Sequence, residues 1–129
     1  MTARILIAED HPSSLELMRY LLEACGYQIF TATDGAQALE IVRNNPPPDL
    51  VICDLQMPNL DGYEVLQLMK ADDVLRHIPV IAVTAFSMAG DREKILCAGF
   101  DDYHSKPIEP EIFVTQLEQH LPVQLRAHR

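Results

Sequence analysis

Hydrophobic and polar positions along this chain switch repeatedly between two periods. Ile5-Leu6-Ile7-Ala8 is a short apolar run, which predicts a buried strand. "EDHPSS" breaks it, after which Leu15, Met18, Leu22 and Cys25 recur at helical spacing until Gly26 stops the helix. Gln28 to Ala32, rich in Ile, Phe and Thr, predicts a second strand. "AQALEIVRNN" after Gly35 predicts a helix with Ala38, Leu39 and Val42 on one face, stopped by Pro46-Pro47-Pro48. "VICD", Val51 to Asp54, is the third strand, and Tyr63 to Ala71 a helix with Val65, Leu66 and Met69 inward. "PVIAVT", Pro79 to Thr84, is the fourth strand, followed by a short helix, "GDREKILCAG", closed by Gly99. Asp102 to Ser105 reads as a weak fifth strand, and Glu111 to Leu121 as a last helix with Ile112, Leu117 and Leu121 available for the core.

Strand and helix thus alternate five times. That order predicts an α/β fold: a parallel sheet with helices on both faces, joined by right-handed crossovers. Strands covered on both faces should be near-continuous apolar runs, as the first, third and fourth are. A single domain over residues 1–121 is expected, with 122–129 as a flexible tail.

Composition narrows the partners. A formal net charge of −9 and 48% hydrophobic residues describe an acidic globular chain. Nucleic acid and anionic membranes are poor direct partners, because both need a basic surface. The amino-terminal apolar run is too short for a signal peptide, and no run approaches a membrane span, so a cytoplasmic location is expected. Cys25, Cys53 and Cys97 are odd in number with no CxxC; Cys53 and Cys97 are expected as small core residues in a reducing compartment. The histidines at 11, 77, 104, 120 and 128 form no HxxxH pattern, and His11 is expected as an exposed loop residue rather than a ligand.

Ligands of such sheets bind beyond the carboxyl ends of the strands. Glu9 and Asp10 follow the first strand, Asp54 ends the third, Thr84 ends the fourth, and Lys106-Pro107 follows the fifth. Each alone has an ordinary reading: Asp54 can start a turn, Asp10 can help cap the first helix, Thr84 is a β-former, and Lys106 a surface charge. Together they place three carboxylates, a hydroxyl and an ammonium at one edge. Crowded carboxylates need a cation, and oxygen ligands on a partly open site suit Mg²⁺, which shares its sphere with phosphate. A carboxylate so surrounded is arranged to accept a phosphoryl group, and Asp54, between the acid pair and Lys106 in strand order, is the expected nucleophile. Asp72-Asp73 and Asp101-Asp102 are expected as solvated loop charges.

The motifs "ILIAEDH", "VICDLQMPNLDG", "VIAVTA" and "YHSKPI" together resemble the receiver domain of two-component response regulators, over about residues 4–121. "VTAFSMAGDREKI" further resembles single-domain regulators of the DivK kind and the receivers of hybrid kinases. The resemblance implies a flavodoxin-like (CheY-like) five-stranded sheet in the order 2-1-3-4-5. It implies Asp54 as phospho-acceptor, with Glu9, Asp10, Asp54 and the Gln56 backbone carbonyl as ligands of Mg²⁺, for which Mn²⁺ is a substitute. It implies Thr84 and Tyr103 as switch residues, Lys106 as the phosphate-binding lysine and a cis Lys106-Pro107 bond. Ala85 is small and leaves room for the loop after Thr84 to close. Gln56, two residues after Asp54, is expected to flank the hydrolytic water and tune the phosphoryl lifetime.

The expected protein is therefore a switch rather than an enzyme. A histidine kinase or histidine phosphotransfer protein is the expected donor. An unknown downstream protein would read the face formed by the fourth helix, the fifth strand and the last helix, and the chain would be a monomer or a weak phosphorylation-dependent dimer. Gly90 and Gly99 bracket the fourth helix and lower the cost of moving it. Two alternatives remain: a phosphorylation-independent interaction module, and an aspartate-nucleophile phosphohydrolase. The second usually carries an Asp two residues after its nucleophile, where this chain has Gln56.

Overall fold

The computed structural model describes residues 2–43, 46–85 and 91–126. Five strands alternate with five helices: β1 (Arg4–Ala8), α1 (Pro12–Ala24), β2 (Gln28–Ala32), α2 (Gly35–Val42), β3 (Leu50–Asp54), α3 (Gly62–Lys70), β4 (Val80–Thr84), α4 (Asp91–Ala98), β5 (Asp102–Ser105) and α5 (Pro110–Glu118). The strands form one parallel sheet in the order β2-β1-β3-β4-β5. Gly90, expected to open the fourth helix, lies outside the described residues.

Alternation along the strands divides the core in two. Leu6, Ala8, Val51, Cys53, Val80 and Ala82 face one way and pack with Ala38, Leu39 and Val42 of α2, Val65, Leu66 and Met69 of α3, and Ile95 of α4. Ile5, Ile7, Leu50, Ile52, Ile81 and Val83 face the other way, against Met18 and Leu22 of α1 and Phe113, Val114 and Leu117 of α5. Every residue of β3 and β4 is buried, as a strand covered on both faces requires. The edge strands β2 and β5 keep partly exposed, more polar sequences.

Several expectations are corrected. Ile112 is 48% exposed, and Phe113 and Val114 take its place in the core. Pro110 opens α5, and the stripe that meets the sheet runs Phe113-Leu117, one residue out of phase with Ile112. Cys97 is exposed, because only Ile95 of α4 is fully buried and Cys97 lies two residues, roughly 200° of helical rotation, away from it. Asp10 does not cap α1: His11 holds that position with no side-chain bond, and Pro12 starts the helix. Asp101 and Asp102 are more than solvated charges. Asp101 accepts a hydrogen bond from the Val80 N–H at 2.8 Å, and Asp102, inside β5, pairs with His120 at 3.1 Å. Asp72 likewise accepts the Val74 and Leu75 N–H groups at the start of a 3₁₀ turn.

Between α5 and Arg126 the chain stays in contact with the domain. Val123–Leu125 form a 3₁₀ turn, Leu125 packs against the α1/α5 core, and Arg126 Nε donates to the Leu121 carbonyl at 3.1 Å. Among the described residues no helix is long and apolar enough to cross a membrane.

Candidate functional site

The carboxyl edge of the sheet gathers the polar residues that end β1, β3, β4 and β5. Asp54 is the last residue of β3 and is buried at 6% exposure. Its position is set from both sides. Gly62 opens α3 directly against it: a Cβ there would lie 2.5 Å from the Asp54 carbonyl oxygen, so only glycine permits the approach. The Gln56 N–H donates to Asp54 Oδ1 at 3.0 Å, and Lys106 Nζ donates to Oδ2 at 3.1 Å.

Glu9 is fully buried, and Asp10 beside it is exposed. Glu9 Oε2 accepts the His11 N–H at 3.1 Å, while Oε1 forms an ion pair with Lys106 Nζ at 2.5 Å. Oxygens of Glu9, Asp10 and Asp54 lie within 4.8 Å of one another. Lys106 thus spans the two buried carboxylates, and its own backbone N–H bonds the Thr84 carbonyl at 2.9 Å.

Electrostatics follow from this crowding. Burial first, then the neighbouring Asp54, pushes Glu9 up to about 7, against the opposing pull of Lys106 and the His11 N–H. Burial disfavours the Lys106 charge, but its bonds to Glu9 and Asp54 outweigh that and hold the ammonium above its ordinary value. Burial, reinforced by Asp54, raises the Cys53 thiol strongly, so this neighbour of the acceptor stays a packed thiol. Glu9, Asp10 and Asp54 offer hard oxygen donors converging beside one cation, which fits Mg²⁺.

The remaining expected residues sit close by. Thr84 is buried at the end of β4, Ala85 is exposed just beyond it, and Gln56 is exposed beside Asp54. Tyr103 is half-buried on β5 and packs against the α2–α4 core. The Lys106-Pro107 peptide is cis. His11 is exposed, and only its backbone contributes, through Glu9.

Sequence reasoning missed the supports of this edge. Asp61 and Glu64 form a reciprocal capping box at the start of α3, which D-x-x-E in the sequence could have signalled. Tyr63 stacks edge-on to Phe100 with Lys94 over its ring; residues that distant in sequence carry no local signal of meeting.

Doubly wound domains bind their ligands beyond the carboxyl ends of the strands, which is where this chain gathers its acidic cluster and lysine. The family model of the response regulator receiver domain matches residues 5–118, and the chain belongs to that family. It is 43% identical over 121 residues to the polar-differentiation response regulator DivK of Brucella ovis, covering 94% of this chain and 98% of that protein. A response regulator structure from Chloroflexus aurantiacus superposes with a TM-score of 0.87 at 28% identity, covering 93% and 98% of the two chains. The receiver domain of a Pseudomonas aeruginosa sensor histidine kinase, described with a magnesium ion coordinated in its active-site cleft, gives 0.81 at 32% identity, covering 92% and 97%. The protein is thus a receiver domain of two-component signalling.

Proposed function

We propose that this receiver is a Mg²⁺-dependent phospho-acceptor switch with Asp54 as the acceptor. The carrying observation is the buried Asp54 carboxylate, bonded to Lys106 at 3.1 Å and clustered with Glu9 and Asp10 at the carboxyl edge of the sheet. An Asp54 oxygen attacks the phosphorus of a phosphohistidine on a histidine kinase or phosphotransfer protein. The new P–O bond forms as the P–N bond breaks, and the leaving imidazole keeps the electron pair. Glu9, Asp10, Asp54 and the Gln56 carbonyl would hold Mg²⁺, whose charge would offset that of the phosphoryl oxygens. Lys106 is already at the acceptor and binds one phosphoryl oxygen. Thr84 moves to donate to another, Ala85 leaves room for that movement, and Tyr103 turns inward behind it. Gln56 flanks the approach of hydrolytic water. The switched surface is the α4-β5-α5 face, in a cytoplasmic setting. The DivK likeness supports a response-regulator receiver.

Acetyl phosphate or a phosphorylated kinase should add one hydroxylamine-labile phosphoryl group to the wild-type chain. Asp54→Asn should remove it, because an amide cannot act as this nucleophile. Full labelling of the variant would overturn the assignment.

A further inference from the structure

The loop between β3 and α3, residues 55–61, carries Gln56, and its shape depends on a segment that contributes nothing to the acidic cluster itself. Its base is closed by the Gly62 N–H to the Leu55 carbonyl at 3.1 Å. Its tip turns tightly, with the Leu60 N–H on the Pro58 carbonyl at 2.8 Å, and this leaves Asn59 at φ 69°. Among residues with a side chain, Asn is one of the few that tolerate this left-handed conformation. Its side chain does more than tolerate it: Asn59 Nδ2 donates to Asp34 Oδ2 at 3.1 Å.

Asp34 belongs to the loop after β2 and is itself held. Its other oxygen, Oδ1, accepts the Gln37 N–H at 2.8 Å and so caps α2. Next to it, Gly35 lies under the loop tip: a Cβ there would fall 2.2 Å from the Leu60 carbonyl oxygen. The two loops therefore touch backbone to backbone and are also joined by one side-chain bond. The β2 end is tied in turn to the acid pair, since the Glu9 N–H bonds the Ala32 carbonyl at 2.9 Å. Asp10 and the loop residues Gln56, Met57 and Pro58 line one open depression at this edge, and the bond of the Gln56 N–H to Asp54 Oδ1 at 3.0 Å ties the loop to the acceptor from the inner side.

We propose that Asn59 and Asp34 are positioning residues for the Gln56 backbone carbonyl: their hydrogen bond clamps the β3–α3 loop to the start of α2 and sets the readiness of the site for Mg²⁺. This rests on the reading that Mg²⁺ binds at Glu9, Asp10, Asp54 and the Gln56 carbonyl. Neither residue touches the metal. They act by keeping the loop from drifting, so that binding pays less ordering cost.

The test is Mg²⁺ titration of the full chain followed by amide shifts in NMR. Asn59→Gly keeps the left-handed backbone accessible and removes the bond. Asp34→Ser keeps a capping oxygen for α2 but is too short to reach Asn59. Each should weaken Mg²⁺ binding by about tenfold, the low end for groups that orient metal ligands. In the Asp34→Ser background, Asn59→Gly should add no further loss, a non-additivity that loosening of the loop by glycine alone would not produce. A wild-type response with unchanged affinity in Asn59→Gly, or additive losses in the double variant, would overturn this inference alone. No Mg²⁺-induced shift near residues 9–11 and 54–57 of the wild-type chain would overturn the metal reading and this inference with it.

Discussion

Glu9 is the residue on which the electrostatics of the site turn. A carboxyl raised from 4.5 to about 7 binds its proton more tightly in the folded chain than in the unfolded one. Its contribution to metal-free stability is therefore complete below the unfolded value and is lost as pH rises through about 7. At the proposed Mg²⁺ site the same proton would compete with the ion for the Glu9 oxygens, so affinity should rise with pH up to about 7 and level off above it. Mg²⁺ titrations at mildly acid and mildly alkaline pH check this, and equal affinities would contradict it. Lys106 is the counterweight. Lys106→Met leaves Glu9 and Asp54 without their shared cation and should cost about 3 kcal/mol in the metal-free chain, the low end for a broken buried pair because Lys106 keeps some solvent contact. That loss should shrink at acid pH, where Glu9 is protonated, and denaturant melts at two pH values read the difference.

At the scale of the element, α5 shows how one residue of helical phase decides what is core. Phe113 is 1% exposed and meets the His104 ring edge-on at a centroid distance of 5.4 Å, while Ile112 next to it faces solvent. Phe113→Ala should cost about 3–5 kcal/mol through the cavity it leaves. Ile112→Ser should stay within about 0.5 kcal/mol. Thermal or denaturant unfolding of the two variants checks the phase, and comparable losses would place Ile112 in the core after all. The contact also joins β5 to α5, two parts of the proposed output face.

Across the whole molecule, the proposed signal runs from Asp54 to Thr84 and out to the α4-β5-α5 face. A phosphoryl group adds charge and acceptor oxygens that need donors. The end of β4 is fixed in the sheet, so Thr84 answers only by a local shift. A partner that prefers the switched arrangement tenfold needs about 1.4 kcal/mol of differential contact. An acyl-phosphate mimic should therefore perturb amides of residues 84–85 and 91–106 and change the affinity of a captured partner. Thr84→Ala should still accept phosphate yet lose most of that affinity change. Calorimetry on both forms decides it: an undiminished change in Thr84→Ala would sever Thr84 from the output.

Much of this protein could be read from its sequence because the relevant signals are local. Apolar runs and helical periodicity sit within single elements, so the alternation, the buried β3 and β4, and the polar residues at strand ends were visible without coordinates. The resemblance added the strand order, which the sheet shows. What the tertiary structure decided were meetings between elements. Ile112 and Cys97 look like core residues until the docking of α5 and α4 fixes which stripe faces the sheet. Asp102 is joined to His120, and Asp34 to Asn59, across separations of 18 and 25 residues that no periodicity encodes. Lys106 reaches back 52 residues to Asp54, and the same ammonium pairs with Glu9, whose raised affinity for its proton follows from burial. A side chain's type is written in the chain, but its neighbours and the water it loses are set only when parallel strands bring their ends to one edge.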